Sequence, residues 1–493
     1  MKRRDFLKLS GAAGLAGLNA ALIGKALSQD SGFMPGERDP VAHVINRLTF
    51  GVNPQLYDYV HQIGVEAYID EQLNPDSIDD SECDQILTFF PLISQSAGEL
   101  VSQYQDNSEP VAINLIGSTF VRAIYSKRQL HERLVQFWSD HFSIFLAKDA
   151  PMIFLKVDDD RDVIRAYTLG SFRDLLGADA HSPAMLFYLD NFESSVPYPN
   201  ENYARELMEL HTLGVNGGYT EDDVKEVARA FTGWSIVGPR DLLGETGAFT
   251  FRSNQHDTDE KVVLEHILAA GRGEEDGEEV LDILASHPST ARFIATKLAR
   301  RFVSDFPSDT IVNAAAQTFT DTSGDIRATL RTIFASEEFW NAPPKFKRPF
   351  EYTMGIIRAL GYPASIIGEF GEPLFQALQG MGHVPFLWPA PNGYPDFGAY
   401  WMSNLLPRWN VAIAAVANGG DFTALREFLN QYNASDDLDG FITFMSGYLF
   451  GRELTEQELT IVRDFSLAAG SSLTEQALAG TALLIAAPAF QLA

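Results

Sequence analysis

The 493-residue sequence holds one cysteine, Cys83, and that scarcity excludes several kinds of protein at once. No intramolecular disulfide can form, so stability must come from packing. Iron–sulfur clusters and cysteine-ligated zinc within one chain are excluded for the same reason, and no Cys-x-x-Cys-His is present for covalent haem. Basic residues are also short: 37 Lys and Arg stand against 66 Asp and Glu, for a formal charge of −29. Such a chain repels nucleic acid and anionic membrane surfaces, so neither is expected as a partner. The apolar stretches Gly11–Ile23 and Ala477–Ala487 fall short of the roughly 20 residues that a bilayer span needs. There is no Gly-x-Ser-x-Gly elbow, no phosphate loop and no His-Glu-x-x-His, because His131-Glu132 runs on into Arg-Leu-Val. Hydrolase, nucleotide-dependent and zincin readings lose most of their weight.

What the sequence does have begins at its first residues. Met1-Lys-Arg-Arg-Asp-Phe-Leu-Lys8 matches the twin-arginine export pattern, with Arg3 and Arg4, then Phe6, Leu7 and Lys8, then the apolar run to Ile23. Ala26-Leu27-Ser28 puts small residues where a signal peptidase reads, which predicts cleavage after Ser28 and a processed chain starting near Gln29. Gly11, Gly14 and Gly17 do not make a nucleotide loop, since no strand precedes them. The expected product is a periplasmic or secreted protein, carried by the twin-arginine translocase and left without a membrane span once cleaved.

Residues 29–493 read as a single large, mainly helical region, all-α apart from a small β-hairpin near residues 236–257. Asp39-Pro40 and Asn53-Pro54 are N-caps with proline in the first turn, and Gly51 and Gly64 are the matching stops. Thr220 with Asp223, and Thr455 with Glu458, form capping boxes. Ile326, Leu330, Ile333 and Phe334 make an apolar stripe, and Ala477–Ala487 reads as a buried helix. Gly247-Ala-Phe-Thr-Phe251 alternates like a strand. Gly271–Glu279 and Pro385–Gly398 read as loops, the first acidic and the second rich in Pro, Gly and aromatics; such loops serve as binding elements or simply cover helix ends. A weak internal repeat pairs Arg301–Ile311 with Leu449–Leu459, each followed by a helix ending in Phe, at Phe339 and Phe490.

The densest polar segment runs from Pro199 to Thr220. On a helix, Asn202, Glu206 and Glu209 share one stripe and Arg205 can reach Glu209, while His211 sits beside Ala204 and Met208 at the apolar border. Two carboxylates one turn apart can hold a divalent cation, or one can raise the other's pKa and make it an acid. A solvated helix face tied by an Arg205–Glu209 ion pair satisfies the same spacing. In the second cluster, His131–Phe142, Asp140 and His141 lie at a helix end, where a neutral histidine beside a carboxylate can ligate a metal or shuttle a proton; a core histidine bonded to a carbonyl is the plainer alternative. Asn254-Gln-His-Asp257 brings His256 and Asp257 to the edge of the irregular region.

Taken together, the signal, His43–Gly51, Glu132–Trp138, Asp140-His-Phe142, Asn200–Glu206 and Gly218-Tyr-Thr220 resemble the bacterial domain-of-unknown-function 1800 family. Phe251-Arg252, His256-Asp257, His287-Pro288, Arg301-Phe302-Val303 and Pro391-Asn392-Gly393 extend the resemblance through most of the chain. It implies an exported, largely helical protein, often encoded beside a protein of the domain-of-unknown-function 1501 family, which is the partner it suggests. It carries over no activity and no ligand. Many members read His-Asn before the position of His141, where this chain has Ser139-Asp140, which weakens any metal arrangement that needs two histidines there. The expected site therefore has Glu206, Glu209, His211 and Arg205 as its catalytic groups. His141, Glu206, Glu209, His256 and Asp257 are its metal ligands, for a divalent ion of unspecified identity. The competing expectation is a non-catalytic periplasmic interaction or assembly protein that works with a neighbouring exported partner.

Overall fold

Helix boundaries follow the caps that the sequence carries. A computed structural model describes residues 39–238, 245–418, 423–434 and 437–493; the twin-arginine segment and the expected cleavage point lie outside the described residues. Asp39 caps the helix Pro40–Leu48, its side chain accepting from Val41 N, and Asn53 caps Pro54–Ile63 by accepting from Leu56 N at 2.7 Å. Gly64 ends that helix at φ +84°, a left-handed conformation that glycine adopts without a Cβ clash. Both expected capping boxes close reciprocally, with Thr220 N to Asp223 Oδ2 at 2.8 Å and Thr455 N to Glu458 Oε2 at 2.8 Å.

The chain is mainly α-helical, and the described residues contain only two sheets, each of two antiparallel strands. The expected hairpin forms, Trp234–Ile236 pairing with Phe249–Phe251 in the register Trp234↔Phe251. The second sheet was not expected: Lys261–Val263 pairs with His266–Leu268 through Leu264 and Glu265, both at positive φ (48° and 69°). That turn lacks the Asn or Gly that usually announces it, so the local sequence hides it. The segment read as an acidic loop at 271–279 is only half a loop, because the helix Glu275–Ser286 starts inside it. Its acidic first turn, Glu275, Asp276 and Glu278, favours a helix N-terminus.

Buried apolar side chains form one cluster that runs from Val44 to Phe490. The early helix Pro40–Leu48 packs against late segments: Asp39 N donates to Gly451 O at 2.9 Å, and His43 Nε2 lies 2.8 Å from Phe339 O. Arg47 Nη1 reaches Val303 O at 2.9 Å. The helix Leu473–Ala486 lies in the interior, with Ala479–Ala486 buried. The two segments read as a repeat each span a joint between helices. One joins Pro288–Phe302 to Asp309–Asp321 and the other joins Leu438–Phe450 to Glu456–Ala469. Each is followed by one further helix and a short turn that carries Phe339 or Phe490. No helix among the described residues is long and apolar enough to cross a membrane.

Candidate functional site

Four segments converge on one buried centre: the helix Gln129–His141, the helix Pro288–Phe302, residues 345–351 at the start of the helix Pro349–Ala359, and the irregular stretch 385–398. Arg133, Gln136 and Asp140 recur at helical spacing and share one face of the first helix; Lys297 and Arg301 share a face of the second. Glu351 sits in the middle. Its Oε1 accepts from Arg133 Nη1 at 2.8 Å, Arg301 Nη1 at 3.0 Å and Arg348 Nε at 3.1 Å, and its Oε2 accepts from Arg348 N at 3.2 Å. The Gln136 side-chain carbonyl takes Arg348 Nη2 at 2.8 Å and Arg301 Nη2 at 3.0 Å. Arg348 Nη1 then reaches Asp140 at 2.6 Å, while Arg301 and Lys345 each lie 3.4 Å from Asp396.

Burial alone would raise the Glu351 carboxyl, but Arg133, Arg348 and Arg301 hold it well below the carboxylate range. Asp396 behaves alike: burial opposes its charge, and Lys345 and Arg301 outweigh burial. At Asp140 the balance tips the other way, burial raising its pKa despite Arg348 and Arg301. Buried ion pairs of this kind add little net stability, since desolvation offsets attraction; what they fix is a single arrangement, because an unpaired partner left behind costs about 3–5 kcal/mol. The stretch 385–398 is pressed onto this lattice at Gly393, where a Cβ would stand 1.9 Å from the Asp140 carbonyl oxygen and φ is +69°. Only glycine fits there. A cavity of about 30 Å³ lined by Ser139, Asp140, His383 and Tyr394 adjoins the lattice; it has room for one water, and the buried Ser139 Oγ otherwise lacks a partner.

Next to the lattice lies a pair of nitrogen bases. His141 Nε2 is 3.0 Å from the His211 carbonyl oxygen, so it carries the ring proton and donates it there. His141 Nδ1 therefore holds the lone pair, and Lys297 Nζ donates to it at 2.7 Å. Burial, then the neighbouring Lys297, pushes the His141 pKa well below its ordinary value. Burial also lowers Lys297, to about 8, against the opposing pull of Asp140. His211 completes the group: its ring is 6.1 Å from that of His141, fully buried, and lowered to about 3 by burial and by Lys297. Asp179 Oδ2 is 3.9 Å from His211 Nδ1, and burial raises that carboxyl well above the usual range.

The sequence-predicted residues divide between several places. His141 and His211 come together, as described. Glu206 and Glu209 adjoin each other on a partly exposed face, where burial and then Glu209 raise the Glu206 pKa, and Tyr219 donates to Glu209 at 3.3 Å. Arg205 does not pair with Glu209; it makes a two-pronged pair with Glu221, at 2.8 and 2.7 Å. The cause is local. The helix Glu201–Glu206 widens at Leu207–Thr212 into i→i+5 hydrogen bonding, which rotates the residues that follow and buries His211.

His256 and Asp257 belong to another network. His256 Nδ1 lies 2.8 Å from Thr232 O and its Nε2 3.3 Å from Asp276, which also receives Lys261 at 2.7 Å. Asp257 is clamped by Arg229 at 2.8 and 3.1 Å. No hydrogen bond or ion pair among the described residues links either of them to His141, Glu206 or Glu209. The expected metal ligands are therefore not assembled: His141 and His256 each use both ring nitrogens, and Arg229 occupies Asp257. Among the described residues no group of three or more His, Cys, Asp or Glu side chains is placed to hold a metal ion.

Sequence reasoning missed Lys297, Arg301, Arg348, Glu351 and Asp396 as site residues. Arg301-Phe302-Val303 and Pro391-Asn392-Gly393 stood among the family-like segments, and lysines and arginines inside such segments of an acidic chain were the available signal.

No curated protein and no solved structure matches the chain. The sequence profile of a family described as a protein of unknown function, DUF1800, matches residues 43–492, a span that contains every residue of the lattice and of the Lys297–His141 pair, and the chain belongs to that family.

Proposed function

We propose that this is an exported protein whose working centre is an acid–base pair, the Lys297 amine and the His141 imidazole, set beside a buried lattice of charges. The 2.7 Å contact between Lys297 Nζ and His141 Nδ1 carries the reading. The His211 carbonyl fixes His141 as the Nε2–H tautomer, so the imidazole can only accept from the amine. An amine lowered to about 8 by burial exchanges its proton near neutral pH and, once deprotonated, serves as a base or a nucleophile. Asp140 and Asp396 supply the nearby negative charge that keeps the protonated form accessible. Acylation with acetic anhydride across a pH series, read by peptide mass spectrometry, tests this. Lys297 should gain reactivity with a midpoint near 8, well below that of Lys225, an exposed lysine raised by its hydrogen bond to Asp222. Coincident midpoints would rule the pair out.

Export is supported by Arg3-Arg4, Phe6-Leu7-Lys8 and the apolar run behind them. Fractionation of cells making the natural sequence should find the protein outside the cytoplasm and trimmed near Ser28. A variant with Arg3→Lys and Arg4→Lys should stay inside at full length. Equal export of both would remove the twin-arginine route.

A further inference from the structure

A cleft of about 980 Å³ lies among the helices Pro54–Ile63, Val65–Gln72 and Ser81–Leu87 and the C-terminal ends of Glu109–Tyr125 and Pro349–Ala359. That volume suits a small organic ligand. None of its lining residues belongs to the charge lattice or the amine–imidazole pair.

Two buried groups on its wall have hydrogen-bonding capacity to spare. Arg358 is 3% exposed; its Nε donates to Gly51 O at 2.7 Å and its Nη1 to Ile124 O at 2.5 Å. Its Nη2 makes no hydrogen bond among the described residues, and no carboxylate there lies within ion-pair distance of it. Arg133, Arg301 and Arg348 are also buried, and each reaches a carboxylate, while the buried Arg408 donates to Gln491 Oε1 and the Lys347 carbonyl. Tyr68 is 1% exposed and its phenol oxygen has no partner. Both groups line the same cleft, and the charge of Arg358 is felt at the Tyr68 phenol. A buried guanidinium with a free N–H edge beside a buried phenol is a donor set for a planar anion. The rim has the opposite character, with Asp79, Glu82 and Glu71, the last already accepting from Tyr59 at 2.7 Å. A polyanion would be repelled by that rim, whereas one carboxylate at the wall with hydroxyl or ammonium groups turned outward meets both.

We propose that this cleft binds a small organic acid, whose carboxylate accepts from Arg358 Nη2 and the Tyr68 hydroxyl while its hydroxyl or ammonium groups donate to the carboxylates of the rim. The shared chemistry has two sources, a sugar acid or the carboxyl end of an amino acid or short peptide. Calorimetric titration of the full chain separates them, with galacturonate against galactose as one arm and alanyl-tyrosine against its C-terminal amide as the other. At least one acid should bind, and its neutral counterpart should bind tenfold or more weakly; the arm that binds identifies the source. Tyr68→Phe removes only an oxygen with no protein partner, and it should weaken the acid by about tenfold. Arg358→Lys keeps the charge without the forked edge and should also weaken it; if that variant does not fold, Tyr68→Phe still decides. No binding by either acid, equal binding of acid and neutral forms, or an unchanged affinity in Tyr68→Phe would each overturn the proposal. None of these outcomes bears on Lys297, so the two readings stand or fall apart.

Discussion

His211 has no exposed surface, and neither of its ring nitrogens has a hydrogen-bond partner. Such a side chain stays neutral in the folded state because a buried imidazolium would be unsolvated, and burial holds the Asp179 carboxyl, 3.9 Å away, toward its own neutral form. Its pKa is lowered to about 3 by burial and then by Lys297, while the unfolded chain offers an ordinary histidine near 6.5. Between those values the unfolded state binds the proton and the folded state does not, so stability is complete above about pH 6.5 and falls as pH drops toward 3. Replacing His211 by Leu removes that proton-binding difference along with two unmet polar atoms. Near neutral pH the variant should match the natural protein or exceed it by about 1 kcal/mol. Its acid-unfolding midpoint, followed by circular dichroism, should move to lower pH. A midpoint that stays put would mean that His211 carries no part of the acid sensitivity. His141 and His383, also lowered by burial, keep their share in the variant, so the shift is partial.

At the scale of elements, the sequence was readable where structure is local. Asp39, Asn53, Thr220 and Thr455 act within four residues of their own positions, and each cap forms as its motif implied. The stripe Ile326, Leu330, Ile333 and Phe334 is buried for the same reason. Legibility ended where one turn departed from the usual period. Ideal helical spacing places Arg205 over Glu209 and leaves His211 at a border, but the wide turn Leu207–Thr212 shifts the later residues relative to the earlier ones. A second wide turn at Asp159–Arg165 sets Arg165 against Glu132 at 2.9 Å and Asp160 at 2.8 Å. No residue type announces such turns, and wide turns cluster at functional sites. The charge lattice was hidden for a different reason. Glu351 meets Arg133 and Arg301 only after distant segments pack, and in the sequence each stands among other charged residues that give no sign of which will pair with it. The histidines stood out because they are rare; the lysine and arginines that surround them did not.

Across the whole molecule, a chain with a formal charge of −29 gathers several of its cations inside. Lys347, buried over the Phe490 ring at 4.3 Å, is lowered to about 7 by burial, and Arg408 bonds Gln491 Oε1 at 3.0 Å. The stretch that carries Lys347 is tied to residues 491–493: Lys347 N donates to Gln491 O at 2.7 Å, Lys345 N to Ala493 O at 3.1 Å, and Ala493 N back to Lys345 O at 2.8 Å. Deleting residues 491–493 removes these three backbone hydrogen bonds and leaves Arg408 short of an acceptor. The loss should be about 3 kcal/mol, read as a lower urea midpoint, and the Arg348–Asp140 contact should loosen with it. An unchanged midpoint would show that the tie is ornamental.

The same tie sets a schedule. Residues 491–493 are synthesised after everything else described here, yet they hold the segment that leads into Arg348 and Glu351, while Pro40–Leu48, among the first described residues made, waits for Val303, Phe339 and Gly451. The segment that leads into Arg348 and Glu351 therefore gains its backbone partners only through contacts of long sequence separation, and such contacts are expected late in folding. The contacts that close the centre are thus among the most distant in sequence, and pairings of that kind are the slow ones to form.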